Sequence, residues 1–201
     1  MKSRPPSEPV VQSTLGLNAL CLRLEGAEVC HILELGPARG GNIEFWSQFS
    51  GSIYVADLHS SLPLPPPAET AEGETLPDPE WERLLHLPEG RRFDVILAWD
   101  LLNYLELPAV ASLIGYVGRF CKPGTLLYSL IFDLPKMPEE ITVYRIIDAT
   151  HLGYEYGGPA VRPCPRHQPR ALSAVMRQFQ VANSFRLRNG LIEFLFVYEP
   201  V

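Results

Sequence analysis

The sequence lacks long apolar runs, paired cysteines and an excess of basic residues. No run approaches the roughly 18 apolar residues of a membrane-spanning helix, and the N-terminal segment MKSRPPSEPVVQSTLG contains no apolar signal-peptide core. The four cysteines, Cys21, Cys30, Cys121 and Cys164, show neither a C-x-x-C pair nor zinc-ligand spacing. We therefore expect unpaired thiols, no metal site, no membrane association and a cytoplasmic location.

The charge balance is acidic, with 17 Lys and Arg residues against 23 Asp and Glu residues and a formal net charge of -6. A general nucleic-acid binder normally carries a basic surface, so we do not expect this function. The chain has 201 residues, of which 46% are hydrophobic, which is enough for the core of one domain. The composition therefore predicts a globular protein with a proper apolar core.

Changes in composition along the chain predict its organisation. Residues 1–12 are polar and contain prolines, which is typical of a flexible N-terminal arm, and residues 13–201 are expected to form one domain. Within that domain, residues 60–80 are proline-rich and acidic, which predicts an exposed excursion. Residues 133–169 are aromatic and locally basic and predict a long irregular insertion, and loops of this length are often functional.

Short apolar runs alternate with helical patterns through most of the chain. The runs HILEL, SIYVADLH, FDVILAWD and TLLYSLIFD predict strands, and GNIEFWSQF and LLNYLELPAVASLIGYVGRFCKPG predict helices, the second closed by Gly124. This alternation predicts an α/β fold with parallel strands that are buried on both faces. Asn189-Gly190 lies between two strand-like runs and predicts a terminal hairpin, hence an antiparallel last strand.

The segment HILELGPARGGN predicts a ligand-binding turn after the first of these strands. Gly36, Ala38 and Gly40 are small, so the backbone can approach a ligand closely at the start of the next helix. Asp57 comes about 21 residues after Gly36, where such folds place the acid that binds ribose hydroxyls. Glu34 suits a ligand with a cationic end. Together these residues favour S-adenosylmethionine over a dinucleotide, although both contain adenosine.

At this point the sequence resembles the class I S-adenosylmethionine-dependent methyltransferases, over roughly residues 25–201. ELGPARG matches the family's acid, spacer and G-x-G-x-G pattern, with Ala38 in place of the middle glycine. Asp57 in YVADLH matches the acid after the second strand. RRFDVILAWDLLNYLE resembles the fourth-strand motif, with Asp94 at its start and Asp100 at its end.

The resemblance implies a three-layer Rossmann-like sandwich with a mostly parallel, seven-strand-type sheet whose last strand is antiparallel. The family's third strand has only LLHLP to match it, so we expect this strand to be stunted, and no residue of the segment 60–92 can be assigned to the adenine. The implied cofactor is S-adenosyl-L-methionine. The residues implied to hold it are Glu34, Gly36, Pro37, Ala38, Gly40, Asn42, Asp57, Leu58, Asp100 and Leu101.

The insertion is the part in which many family members build the substrate pocket. Its candidate bases are His151, Tyr154 and His167. The run RPCPRHQPR suits recognition of an anionic group and a solvated basic loop equally well. The Asn-Pro-Pro-Tyr motif of amine and amide methylators is absent, because the corresponding position reads WDLLNYL. We expect a small-molecule substrate, and a protein partner stays open.

Three functions remain open at the level of sequence. The first is a methyltransferase that acts on a small molecule. The second is a catalytically inactive methyltransferase-like domain that serves as a binding module, which Ala38 and the missing adenine residue favour. The third is an NAD-dependent Rossmann enzyme, which Glu34 and the antiparallel last strand disfavour.

Overall fold

The structure, a computed structural model, describes residues 10–27, 29–37, 39–49, 51–62 and 78–200. Its centre is a sheet in which six strands lie in these ranges. In spatial order they are β10 (Phe179–Arg186), β11 (Leu191–Tyr198), β5 (Cys121–Phe132), β4 (Phe93–Trp99), β2 (Cys30–Glu34) and β3 (Gly51–Val55). Strands β3, β2, β4 and β5 are parallel, and β11 is antiparallel to both of its neighbours. The predicted mostly parallel sheet with an antiparallel last strand is confirmed.

Helices cover both faces of this sheet. They are α1 (Gly16–Leu24), α2 (Gly40–Ser47), α3 (Asp78–Leu85), α4 (Leu107–Gly118) and α5 (Pro169–Val175), with 3-10 turns at Leu58–Ser61 and Leu101–Tyr104. Helices α3, α4 and α5 pack on one face and α1 and α2 on the other, each with its own buried apolar cluster. This explains the continuous apolar runs of β4 and β5, because strands buried on both faces show no alternation. Of the described helices, none has both the length and the apolar character to cross a membrane.

The described residues contain no counterpart of the family's third strand. Strand β3 is the last strand at its edge of the sheet, and residues 78–85, shortly before β4, form helix α3 instead. Most of the predicted excursion, residues 63–77, lies outside the described residues. The segment 60–80 contains six of the prolines of the chain, which lack the N–H group that a sheet ladder requires.

The prediction of an irregular insertion over residues 133–169 is wrong. This segment contains four strands, namely β6 (Lys136–Pro138), β7 (Val143–Asp148), β8 (His151–Glu155) and β9 (Val161–Pro163). Strands β6 and β9 pair with each other, and β7 pairs with β8. Tyr144, Ile146, Leu152 and Tyr154 bury one face of the β7–β8 hairpin against the central sheet, and this alternation was hidden by the glycines and prolines around it.

The prediction of a flexible arm over residues 1–12 is also wrong for residues 10–12. Val10–Ser13 form β1, an antiparallel strand on the free edge of β8, with Val10 opposite Tyr154. The pairing satisfies backbone N–H and C=O groups of β8 that would otherwise form an open edge. Residues 1–9 lie outside the described residues.

Two local predictions need correction. The helix expected to run to Gly124 ends at Gly118, and it begins only at Leu107, where a proline in the first turn lacks an N–H that a helix interior would require. The predicted hairpin is present, but of its two turn residues only Gly190 has a positive φ, of 83°. The Asn189 side chain instead accepts a hydrogen bond from Leu191 N at 3.2 Å. A Cβ at Gly190 would lie 2.6 Å from the Leu134 side chain, so glycine is required there.

Candidate functional site

Three carboxylates meet at the carboxyl ends of neighbouring parallel strands. Glu34 ends β2, Asp57 follows β3 and Asp100 follows β4. The segments are tied together by hydrogen bonds from Ala56 N to Glu34 O at 2.8 Å and from Leu35 N to Leu97 O at 3.0 Å. This edge is where open α/β sheets bind their ligands. We call it the carboxyl-end site.

Glu34 is a buried carboxyl group whose partners come from two different segments. It is 2% exposed, and its Oε1 accepts hydrogen bonds from Gly36 N at 2.8 Å and from Trp99 Nε1 at 2.6 Å. Burial raises the pKa of Glu34 from 4.5 to about 7, although these hydrogen bonds lower it. Glu34 therefore changes its charge near neutral pH, and a cationic group beside it would favour the ionised form.

His59 and Asp100 form a buried pair in the carboxyl-end site. His59 Nε2 lies 3.2 Å from Asp100 Oδ1, and His59 Nδ1 lies 3.2 Å from Leu35 O. A carbonyl oxygen only accepts hydrogen bonds, so Nδ1 carries a proton. Burial lowers the pKa of His59, but its hydrogen bonds to Asp100 and Leu35 and the charges of Asp100 and Glu34 together outweigh this, and the pKa lies above its ordinary value. Both ring nitrogens thus face oxygen atoms that can accept a hydrogen bond.

The second oxygen of Asp100 differs from the first. Asp100 is 0% exposed, and its Oδ2 has no hydrogen-bond partner among the described residues. Buried polar atoms are nearly always hydrogen-bonded, so such an acceptor is open to a donor on a water molecule or a ligand. The backbone around it is fixed, because Asn103 Nδ2 donates to Asp100 O and to Leu130 O, each at 2.8 Å.

Two strand-end residues have left-handed backbones. Asp57 has a φ of 36°, which aspartate tolerates, and its carboxylate accepts hydrogen bonds from Ser60 N and Ser60 Oγ. Trp99 has a φ of 46°, a conformation that costs about 1–3 kcal/mol in a bulky residue and clusters at functional sites. The Trp99 indole is held by its bond to Glu34 and by stacking on Tyr144, with ring centroids 5.4 Å apart and planes 5° apart.

The turn after β2 is crowded at its start and open at its end. A Cβ at Gly36 would lie 2.8 Å from Trp99 Cδ1 and 3.0 Å from Glu34 Oε1, so no larger residue fits without displacing the indole. At Gly40 and Gly41 an added Cβ would have no neighbour within 4 Å. The start of α2 is therefore not crowded on the side to which a Cβ of Gly40 or Gly41 would point.

A small cavity, which we call the polar cavity, lies between this turn and β7. It is lined by Pro37, Asn42, His59, Trp99, Thr142 and Tyr144. About 10 Å³ is open to the centre of a water molecule, which is room for about one water. Thr142 Oγ1 and Tyr144 Oη are buried beside it and make no hydrogen bond of normal geometry to the described residues. An unpaired buried hydroxyl costs about 1–3 kcal/mol, which a bound water or ligand would offset.

A second space, which we call the apolar pocket, also has Tyr144 in its lining. Most of its lining atoms are apolar, and its walls include Thr14, Leu130, Tyr144, Leu152, Tyr154 and Leu187. It too has about 10 Å³ open to the centre of a water molecule. Among the described residues that line it there is no lysine, arginine or histidine.

The acid in the wall of the apolar pocket is Glu193, and all its contacts are internal. It is 0% exposed, and its Oε2 accepts hydrogen bonds from Leu15 N and Gly16 N, each at 2.9 Å, at the start of α1. Its Oε1 accepts hydrogen bonds from Tyr128 Oη at 2.7 Å and from Thr14 Oγ1. These partners and the positive end of α1 stabilise the buried carboxylate, so its role is structural.

The structure brings only some of the predicted cofactor residues to the carboxyl-end site. Glu34, Gly36, Pro37, Asp57 and Asp100 lie there, and Gly40 borders the open start of α2. Leu58 and Leu101 are 0% exposed within the core. Asn42 uses its side chain to fix β7, since Nδ2 donates to Tyr144 O at 3.1 Å and Oδ1 accepts from Ile146 N at 2.8 Å. Ala38 lies outside the described residues. A contact with a cofactor stays a prediction for each of them.

The three candidate bases are not brought together. His151 is partly exposed and contacts Asp148 and Thr150 in the β7–β8 turn. His167 Nε2 contacts the carbonyl oxygens of Leu102 and Leu105 at 3.0 and 2.9 Å, so this nitrogen donates and the residue is structural. Tyr154 lines the apolar pocket, and its hydroxyl donates to Gln12 Oε1 at 2.8 Å. Tyr154 therefore lies beside a space for a ligand.

Sequence reasoning missed His59, Thr142, Tyr144 and Glu193. His59 follows Asp57 closely in the chain, and this spacing after a strand end was a usable signal. Thr142 and Tyr144 carried none, because the segment containing them was interpreted as irregular. Among the described residues, no group of three or more His, Cys, Asp or Glu side chains is arranged to hold a metal ion.

Comparison with solved structures identifies the fold. No protein-family model and no curated protein matches the sequence. A S-adenosylmethionine-dependent methyltransferase from Clostridium acetobutylicum ATCC 824 is 11% identical, with 92% of this chain and 90% of that chain covered and a TM-score of 0.53. The PH0226 protein from Pyrococcus horikoshii OT3 is 16% identical, with 92% and 88% covered and a TM-score of 0.50. The chain has the Rossmann-like fold of the class I S-adenosylmethionine-dependent methyltransferases.

Proposed function

We propose that the chain is a S-adenosylmethionine-dependent methyltransferase that acts on a small molecule and binds its cofactor at the carboxyl-end site. The observation that carries this proposal is the convergence of Glu34, Asp57 and Asp100 at adjacent strand ends, with Asp100 Oδ2 buried and without a partner among the described residues. Fold alone does not determine function, so the chemistry of these residues has to support the assignment.

The residues fit the proposed cofactor in their chemistry. S-adenosylmethionine offers ribose hydroxyls and a positively charged amino-acid end, and both are hydrogen-bond donors that require acceptors. The half-buried Asp57 carboxylate would take the ribose, and Glu34 and Asp100 would face the cationic part. The space beside Gly40 and Gly41 leaves the backbone of the turn accessible. Binding of NAD has less support, because the buried carboxyl group of Glu34 would not stabilise an anionic pyrophosphate.

The bound cofactor would supply a methyl group that is already electrophilic. The chain has then to bind and orient the nucleophile and to exclude water, tasks that depend on packing more than on an acid or a base. The buried aromatic rings of Trp99 and Tyr144 stack on each other beside the site. Tyr154 is the candidate group for a proton on the substrate, because it lines the apolar pocket.

A second candidate function, a binding module without catalysis, has one observation in its favour. The polar cavity has room for about one water, and two of its lining residues, Asn42 and His59, already use their side chains within the protein. A domain that had lost its cofactor would be expected to fill the space in this way.

A calorimetric titration with S-adenosylhomocysteine at pH 8 separates these functions. The wild type is expected to bind, and Asp57→Asn is expected to bind at least tenfold more weakly, because the carboxylate acceptor is lost while asparagine still tolerates the left-handed backbone. Asp148→Asn, in the exposed β7–β8 turn, is the matched control and should leave binding unchanged. No heat of binding with the wild type would contradict the proposed enzyme function. A heat of binding with NAD instead would support the dinucleotide alternative.

A further inference from the structure

Tyr144 lines both the polar cavity and the apolar pocket. Its ring stacks on that of Trp99 and approaches that of Tyr154, with centroids 5.4 and 6.3 Å apart. The residue is 5% exposed, and its hydroxyl has no hydrogen bond of normal geometry to the described residues. A polar group fixed in place by the fold would normally have such a partner.

We propose that Tyr144 is a removable partition between the polar cavity and the apolar pocket, and that the apolar pocket binds a small, uncharged, mainly apolar molecule. The proposal rests on the proposed function only in identifying that molecule as the methyl acceptor. Binding itself, and its dependence on Tyr144, do not require a cofactor.

The chemistry of the walls selects the class of ligand. Leu130, Leu152 and Leu187 are among the lining residues, and no described lining residue is a cation. Glu193 places a buried carboxyl group in the wall, and its oxygens already accept four hydrogen bonds. An anionic ligand would be desolvated there beside this acid without a counter-charge, which is strongly unfavourable. An aromatic or aliphatic molecule without charge fits these walls.

The side chain of Tyr144 has to move while its backbone stays in place. Asn42 holds the strand on both sides of the residue, since its amide contacts Tyr144 O and Ile146 N. Rotation of the ring away from Trp99 would expose one face of the indole, and a ligand ring could replace the tyrosine ring there. While the ring of Tyr144 is in place the pocket admits about one water, since about 10 Å³ is open to the centre of a water molecule.

Phenol and benzoate are suitable probes, because they share one ring and differ in charge at pH 7. In a leucine-methyl NMR titration of the wild type without cofactor, millimolar phenol should shift Leu130, Leu152 and Leu187. It should leave Leu113 unshifted, since this residue is buried on the opposite face of the sheet. Benzoate should shift none of them. Leucine shifts with benzoate as large as those with phenol, or no shifts with phenol, would overturn the proposal.

Three variants test whether Tyr144 limits the apolar pocket and whether phenol binds in that pocket. Tyr144→Leu should bind phenol at least tenfold more tightly than the wild type, and unchanged affinity in the folded variant refutes the partition. Leu187→Trp fills the pocket from its half-buried rim and should weaken phenol binding at least tenfold. Val181→Trp, at an exposed position of β10, is the matched control and should leave phenol binding unchanged. If Tyr144→Leu fails to fold, the tryptophan pair still decides whether phenol binds in this pocket.

The outcome is separable from that of the proposed function. Phenol binding without any affinity for S-adenosylhomocysteine would support the proposed ligand pocket and contradict the proposed methyltransferase function. Affinity for S-adenosylhomocysteine without phenol binding would support the methyltransferase function and contradict the ligand pocket.

Discussion

Replacement of Glu34 by glutamine should make the protein more stable, and increasingly so as the pH rises. The pKa of Glu34 is about 7 in the folded protein against 4.5 as its ordinary value, and burial is the main cause. The folded state therefore binds more protons than the unfolded state between these two values, so the free energy of unfolding falls as the pH rises through this window. Below pH 4.5 the effect is absent, and above pH 7 it is complete.

The size of the effect follows from the pKa difference. At about 1.4 kcal/mol per pKa unit, the ionised carboxylate destabilises the folded protein by about 3 kcal/mol above pH 7. Of this, about 2.5 kcal/mol should develop between pH 5 and pH 8. Glutamine avoids the charge, while its amide oxygen can still accept the hydrogen bonds from Gly36 N and Trp99 Nε1.

Urea unfolding at pH 5, 6, 7 and 8 measures this difference, provided that the dependence of the free energy on urea is the same for both proteins. The advantage of Glu34→Gln over the wild type should grow by about 2–3 kcal/mol over this range. Glu44→Gln, on the exposed side of α2, is the matched control and should show no such growth. A difference between Glu34→Gln and the wild type that is the same at pH 5 and pH 8 would show that burial does not raise the pKa of Glu34.

Two further predictions concern packing and buried hydrogen bonds. In thermal unfolding, Gly36→Ala should destabilise the protein by about 1–3 kcal/mol, because the added Cβ would contact Trp99. Gly40→Ala, where the added Cβ has no neighbour within 4 Å, should be neutral or stabilising in the same assay. Glu193→Gln should lower the free energy of unfolding in urea by about 3 kcal/mol or more, because its NH2 group faces hydrogen-bond donors in place of an acceptor. A loss below about 1 kcal/mol would show that these contacts are not maintained in solution.

Much of the fold could be predicted from the sequence, since it depends on local patterns. The apolar runs of β4 and β5 and the acids that follow β3 and β4 specify parallel strands whose ends meet at one edge. That geometry alone places Asp57 and Asp100 at the same edge of the sheet. The terminal hairpin was likewise visible, because Gly190 supplies the positive φ that the turn requires.

The details of the site could not be predicted, because they join residues that are far apart in sequence. His59 meets Asp100 across 41 positions, and Trp99 donates to Glu34 across 65. Tyr144 belongs to the β7–β8 hairpin, whose short strands are interrupted by turn residues. Which side chain fills a space at a strand end depends on packing between layers, and a hydrophobic pattern does not carry that information.

The most direct test of the central claim is retention of labelled S-adenosylmethionine by the purified protein in equilibrium dialysis, with unlabelled competitors. We expect retention that S-adenosylhomocysteine displaces and NAD does not, together with at least tenfold weaker retention by Asp57→Asn. No retention by the folded wild type, or displacement by NAD at concentrations similar to those of S-adenosylhomocysteine, would contradict it.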